Sequence, residues 1–376
     1  MEHYLDNSAT TKVCPEAAAA ALRAMTEIYG NPSSTHAKGR EAKKLLDESR
    51  KKLASSLGCT PEELVFTSCG SESDNWALLR GAEAMKRKGN HIISSTVEHD
   101  AVRKPLELLE QAGFSVTRLA PDATGAIPAE AVREALQEDT ILVSLMMVNN
   151  ETGAVTDIHA VSQILKKAGS SALLHTDAVQ AFTKIPFRAK TLGADLISIS
   201  GHKIHAPKGI GGLYIRKGLR LKPLIVGGGQ EDGRRAGTEA LPQIAAFAEA
   251  ASLASSQLEE NIARMAALKQ SAIRQLTEAI PEIVYLETPA PHILSISLPG
   301  WRSEVLMNLL ETKQIYVSKS SACKKGGRSH VLEAIGFKSD VIDGALRIGI
   351  SRYNTEEDIA ALVAGLTEAR NTLAHR

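Results

Sequence analysis

Cysteine is scarce and scattered in this chain. Four occur in 376 residues, Cys14, Cys59, Cys69 and Cys323, and no two form a C-x-x-C pair. That excludes a disulfide framework and a zinc site of paired cysteines, and it points to a reducing compartment. An excess of one charge is also missing: 44 Lys and Arg stand against 43 Asp and Glu, a net charge of +1. No overall field therefore draws the chain to nucleic acid or to an anionic membrane. No apolar run approaches membrane-spanning length, and the opening MEHYLDNSATT carries no basic-then-apolar leader pattern. The expected setting is the cytoplasm, with neither nucleic acid nor membrane as a direct partner. Internal repeats are absent, and the one biased tract is the alanine-rich stretch 17–24. What is present is ordinary for a globular chain, 43% hydrophobic and 23% charged. Its length suits one large and one smaller domain.

The chemistry collects where apolar runs stop. Residues 195–209 read DLISISGHKIHAPKG, a short strand pattern that breaks at Gly201-His202-Lys203. In open α/β sheets ligands sit beyond the carboxyl ends of the strands. A lysine there can form a Schiff base with a carbonyl compound or with pyridoxal phosphate. A solvated surface lysine is the ordinary alternative, and four other runs weigh against it. Residues 63–67 (ELVFT) pass through SCGSESDN into a helical pattern. Strand, small-residue turn and helix start can hold a phosphate through the N–H groups near Gly70 and the hydroxyl of Ser71, although an ordinary cap reads the same way. Neither GxxxxGK[ST] nor GxGxxG is present, which counts against a nucleotide loop. Residues 91–96 (HIISST) lead to VEHDAV and place His99 at a strand-to-helix turn, where its ring can lie against a cofactor and move protons. Residues 140–148 (TILVSLMMV) read as a strand buried on both faces and deliver Asn149 and Asn150. Residues 172–176 (ALLHT) deliver Asp177, with Gln180 three positions on. A buried carboxylate asks for a cation, and a pyridinium nitrogen is one.

The runs NPSSTH, GSESDN, EHDAV, VNNETG, HTDAVQ and SISGHKIHAPKGIGG together resemble the cysteine desulfurases of the NifS/IscS type, in the class V aminotransferase branch of the pyridoxal phosphate enzymes. The likeness continues through GGGQEDGRRAGTEALP, SSACKKGGRSHVLEAIG and LRIGISRYNTEEDI, so it spans essentially the whole chain. Two positions depart from the pattern: Ala206 stands where glycine is expected before Pro207, and Asp232 where a basic residue or asparagine is common.

The resemblance implies the pyridoxal phosphate-dependent transferase fold of type I. A large domain, 15–255, would hold a mostly parallel seven-stranded sheet, and residues 1–14 with 256–376 would form a smaller α/β domain. The alternation of strand and helix patterns agrees. One long helix over 241–279 reads as the link, followed by strands near 283–286, 292–297 and 315–318 and a helix over 303–312.

The implied reaction takes L-cysteine to L-alanine and leaves the sulfur as a persulfide on Cys323. Lys203 would carry pyridoxal phosphate and, with His99 nearby, move the substrate's α-proton, while Asp177 keeps the pyridine nitrogen protonated. Gln180 would bond the ring hydroxyl, Asn150 and Arg352 the substrate carboxylate, and Gly70, Ser71, Ser200 and His202 the phosphate. Cys323 sits in SACKKGGRS, where neighbouring cations favour the thiolate and glycines let the loop move. A bystander thiol is the alternative reading, and Cys69 reads as packing. The loop 227–237 looks too glycine-rich to hold its own shape. The resemblance has it reach across a homodimer so that Thr238 meets the partner's phosphate. A sulfur-acceptor protein is also implied, such as an iron–sulfur scaffold or a tRNA-thiolation enzyme. Two rivals stay open. One is a selenocysteine lyase or aminotransferase on the same scaffold, although a transaminase needs no mobile thiol. The other is a non-catalytic anion-binding scaffold, which would be colourless with Lys203 unmodified.

Overall fold

Short strands with wholly buried interiors build the central sheet of the computed structural model, which describes residues 1–286, 288–320 and 328–374. In order across the sheet they are Leu64–Thr67, Gly211–Ile215, Leu196–Ser200, Leu173–Asp177, Thr140–Ser144, His91–Ser95 and Ser115–Leu119. Gly211–Ile215 runs antiparallel to both its neighbours and the remaining pairs are parallel. Six strands therefore point their carboxyl ends at one edge. Every residue is buried in all of them but one edge strand, Ser115–Leu119, as expected where helices cover both faces. The run expected over 140–148 keeps its strand only to Ser144. Beyond it, Leu145 and Met147 donate to the carbonyls of His175 and Asp177, and the chain turns.

Local chemistry sets the helix ends. The helix Ala37–Leu57 starts at His36, whose side chain accepts from Gly39 N, and stops at Gly58, which takes φ 78 and donates to the carbonyls of Ala54 and Ser55. That left-handed stop is cheap only for glycine. The link expected as one helix over 241–279 is two, Leu241–Ser256 and Leu258–Ala279, broken at Gln257. The first packs on Pro15–Thr26 and Ala37–Leu57, the second on Glu356–Thr372. The two thus serve different cores, one containing Leu53, Phe66, Ile197 and Phe247, the other Leu276, Leu306, Ile348 and Leu366. Each such side chain contributes roughly 1.5–3 kcal/mol on burial.

The second core carries a four-stranded antiparallel sheet, ordered Ser318–Lys319, Ala345–Gly349, Ile293–Ser297 and Val284–Leu286. The strand expected over 315–318 is divided at Val317, because Ile315–Tyr316 pairs instead with His3–Tyr4 in a separate parallel pair. Leu5, next along the chain, is part of this second core. Anchoring it there sends Ser8 and Ala9 back to the carboxyl edge of the large sheet, where Lys203 lies. Among the described residues no helix is long and apolar enough to cross a membrane.

Candidate active site

A cavity of about 290 Å³ opens at that edge, lined by Gly70, Ser71, His99, Asn150, Asp177, Gln180, Ser200, His202 and Lys203. All nine are residues that the sequence singles out, brought together from five strand ends. A larger open groove of about 840 Å³, lined by Lys51, Phe187, Arg188 and Ser252, contains none of them. Thr238 and Arg352 do not line the cavity, and Cys323 lies outside the described residues.

Lys203 ends a tight turn after Leu196–Ser200, and its Nζ donates to the carbonyls of Ser8 and Ala9, each at 2.7 Å. The N-terminal segment therefore completes a site built by the large sheet. His202 beside it holds Thr10 Oγ1 at 3.2 Å. Burial, then the charge of Lys203, pushes its pKa down to about 4, so the ring is neutral. His99 precedes the helix Asp100–Gln111, and its Nδ1 accepts from Ala101 N at 3.1 Å. That bond leaves the ring proton on Nε2.

Gly70 begins the helix Gly70–Met85, and Cys69 before it makes no side-chain cap. The first-turn N–H groups and the positive end of the helix dipole remain available to an anion. A Cβ at Gly70 would come within 2.8 Å of Val179 Cγ2, so any larger residue would force Val179 to shift. Opposite, Asp177 closes its strand with Oδ1 accepting from Val179 N at 2.9 Å. Burial, then the nearby Asp74 carboxylate, drives its pKa upward. Asp74 is equally buried and shifted the same way. His175 beneath them is neutral, its pKa pushed down to about 4 by burial, and its Nδ1 and Nε2 lie 2.8 and 3.0 Å from the hydroxyls of Ser144 and Ser198. It supplies no charge, and two buried carboxylates here ask for a cation.

A third buried acid, Glu98, accepts from Ser95 Oγ and Met146 N. Burial nevertheless raises its pKa to about 8. The folded protein thus keeps a proton that the unfolded chain releases near pH ~4.3, and this contribution to stability is lost as pH rises through about 8. Glu98→Gln mimics the protonated acid. In the cofactor-free protein it should match the parent near pH 5 and exceed it by on the order of 1–3 kcal/mol at pH 8. Urea unfolding at the two pH values measures this, and a gap that does not change with pH would contradict it.

The structure differs from the sequence reading at the arginines. Arg352 packs over the ring of Tyr353 at 5.0 Å and lines a smaller adjacent pocket, which shares Lys203 with the main cavity. Arg347, from the middle of Ala345–Gly349, lines the main cavity. It is 2% exposed, donates to Asn150 O at 2.9 Å and Asp6 Oδ1 at 3.2 Å, and keeps a buried Nε without a partner. A residue past the strand end is the one local pattern points to, but here the face of a small antiparallel sheet covers the site. Strand alternation was the missed signal: Leu346 and Ile348 fill the second core, so Arg347 projects from the other face. Of the Asn pair, Asn149 is structural, its Oδ1 accepting from Glu151 N and Thr152 N.

The glycine-rich loop is better anchored than its composition suggests. Glu231 is gripped by Arg50 at 2.8 and 2.6 Å and accepts from Phe66 N at 2.9 Å, while Arg235 binds both oxygens of Glu72 in the first turn after Gly70. These ties hold Glu231 and Asp232 at φ 52 and 55, a left-handed conformation that Asp tolerates better than most residues. Thr238 beyond them is exposed. At Ala206 the departure from glycine is harmless, because the positive φ, 69, falls on His205. Of the cations near Cys323 in sequence, Arg328 is engaged by Asp343 at 2.8 and 3.0 Å.

The aminotransferase class-V family model matches residues 3–362. A cysteine desulfurase IscS of Methanosarcina thermophila is 42% identical over 361 residues, covering 95% of this chain and 89% of that one. A solved NifS-like protein superposes with a TM-score of 0.94 at 38% identity, covering 99% of this chain and 100% of its own. SspA, solved in complex with cysteine, superposes at 0.80 with 30% identity, covering 94% of this chain and 100% of its own. The chain belongs to the class-V aminotransferases, within their cysteine desulfurases of the NifS/IscS type.

Proposed function

We propose that this protein is a pyridoxal phosphate-dependent desulfurase that converts L-cysteine to L-alanine and passes the sulfur, through a persulfide on Cys323, to an acceptor protein. The observation that carries the reading is the convergence of an anion cradle, a buried carboxylate and a lysine in one cavity. The residues fit the cofactor. Ser200 Oγ and Ser8 Oγ are buried there without hydrogen-bond partners, the first turn at Gly70 lacks a side-chain cap, and Asp177 asks for a cation. The family's enzymes use this cofactor, and a structural relative is solved with cysteine bound.

Pyridoxal phosphate bound there supplies an aldehyde that takes amines and a ring that withdraws electrons from the substrate α-carbon. Gly70 and Ser71 N–H groups, Ser200 Oγ and His202 would hold its phosphate, and Asp177 the proton on its ring nitrogen. Gln180 would donate to the ring oxygen, and His99 would lie against the ring. Lys203 would hold the cofactor's aldehyde carbon through its amine and would move the proton of the substrate α-carbon. Cys323 Sγ, as thiolate, would attack the substrate sulfur; the new S–S bond forms as the carbon–sulfur bond breaks, its electron pair stays on the carbon that is protonated to the methyl group of alanine, and the persulfide remains on the protein. The acceptor is a protein presenting its own nucleophile, such as an iron–sulfur scaffold or a tRNA-thiolation enzyme.

For the substrate carboxylate we take Arg347, with the Asn150 side chain, in place of Arg352. A buried guanidinium with a spare N–H suits a carboxylate. Arg347→Ala should lower kcat/KM for L-cysteine by about 10²-fold or more, with the cofactor band retained, and Arg352→Ala by less than about tenfold. The reverse ranking in steady-state assays would return the role to Arg352.

Assembly as a homodimer completes the proposal, with Thr238 reaching the partner's phosphate. In one chain Thr238 is exposed, and Ile225 and Val226 beside its loop are 40% and 78% exposed, apolar surface that a second copy would cover. A mixed dimer of Thr238→Ala and Lys203→Ala subunits should keep about half of the parent activity, because one site then escapes both lesions. Activity no higher than half that of the Thr238→Ala dimer would place Thr238 in its own subunit's site.

A further inference from the structure

Lys184 has no part in the scheme above, yet it is 8% exposed and lies behind the cavity. Its Nζ donates to Gln180 Oε1 at 3.0 Å, and Gln180 Nε2 donates to Ser8 O at 2.9 Å. A backbone carbonyl only accepts, so Nε2 must face Ser8 and the amide oxygen must face Lys184. Lys203 Nζ donates to that same Ser8 carbonyl at 2.7 Å. One row of hydrogen bonds therefore runs from Lys184 through Gln180 and Ser8 to the lysine that carries the cofactor. An amide has two N–H bonds, and with one on Ser8 the second is left for the cavity that Gln180 lines. An amine in this position costs stability relative to an apolar side chain of similar length. Burial, then the charges of Lys203 and Arg347, pushes its pKa well down. His202, His205 and His292 also face its charge. Packing alone does not call for an amine here.

Building on the pyridoxal phosphate reading, we infer that Lys184 is a positioning residue that locks the Gln180 amide with its N–H toward the cofactor's ring oxygen. In that role it tunes the proton affinity of the bond between Lys203 and the cofactor. A donor on the ring oxygen stabilises negative charge there and so weakens proton binding at the linkage. With Lys184 gone the amide oxygen loses its donor and only the Ser8 carbonyl still holds the amide, so the second N–H is aimed less firmly at the ring oxygen and the linkage holds its proton to higher pH.

The test needs no turnover: the visible band of the pyridoxal phosphate-loaded protein is followed against pH without substrate. Lys184→Met should raise the midpoint of the colour change by about 0.5–1 pH unit. In a Gln180→Leu background the same substitution should move it by less than about a third of that, because the amide through which it acts is absent. Should Lys184→Met not fold, Lys184→Gln carries the same test, since its shorter amide does not reach Gln180 Oε1. An unchanged midpoint overturns the inference, and so does an equal shift in both backgrounds, which would make Lys184 a simple point charge. Unsubstituted protein that takes up no pyridoxal phosphate and shows no visible band would instead overturn the reading on which the inference rests.

Discussion

Lys203→Ala is expected to lose turnover of L-cysteine by ~10⁴-fold or more, and to lose with it the visible band and the borohydride-reducible bond to pyridoxal phosphate. Both losses follow from one position. Lys203 is set by the turn after Leu196–Ser200, and the Ser8 and Ala9 carbonyls draw its Nζ to the mouth of the cavity. Lys184 is the instructive control. It lies close enough for its charge to bear on His202, but it lines only the smaller adjacent pocket and is committed to Gln180. The measurement is absorbance and borohydride reduction followed by peptide mapping, alongside the assay. A reducible bond at Lys184, or at any other lysine, with near-normal turnover would refute the assignment.

Cys323→Ser should separate the two halves of the chemistry. Every residue proposed to hold the cofactor lies elsewhere in the chain, so the variant should bind pyridoxal phosphate and respond spectrally to cysteine. Sulfur release should fall by about 10³-fold, because a serine hydroxyl is a far weaker nucleophile at neutral pH than a thiolate. Cys69 is the alternative thiol, since it lines the cavity. Sulfide release that is undiminished in Cys323→Ser and abolished in Cys69→Ser would transfer the role.

The sequence was most legible where one strand end carried one polar residue. Asp177, Lys203 and His99 each follow a short apolar run, and a mostly parallel sheet must gather such ends at one edge. Local patterning had less to say about parts supplied from a distance. The Ser8 carbonyl reaches Lys203 because Leu5, three residues earlier, is tied into the other core. Arg347 was passed over because a charge inside an apolar strand reads as an interruption until the strand's second face is known to cover the site. Gln257 breaks the expected long helix although it is itself a good helix former; the two halves pack on different partners, and tertiary contacts decide. The loop 227–237 looked unanchored because the partners of Glu231 and Arg235 are Arg50 and Glu72, more than 150 positions away in sequence.

Sulfur taken from cysteine should be found on this protein at Cys323. The most direct measurement is one turnover of the pyridoxal phosphate-loaded protein with L-cysteine and no reductant, followed by quantifying alanine and by intact and peptide mass spectrometry. About one alanine per active site is expected, with the added mass of one sulfur atom on the peptide containing Cys323. Sulfide and pyruvate in place of alanine, or alanine formed with no sulfur retained on that peptide, would contradict it.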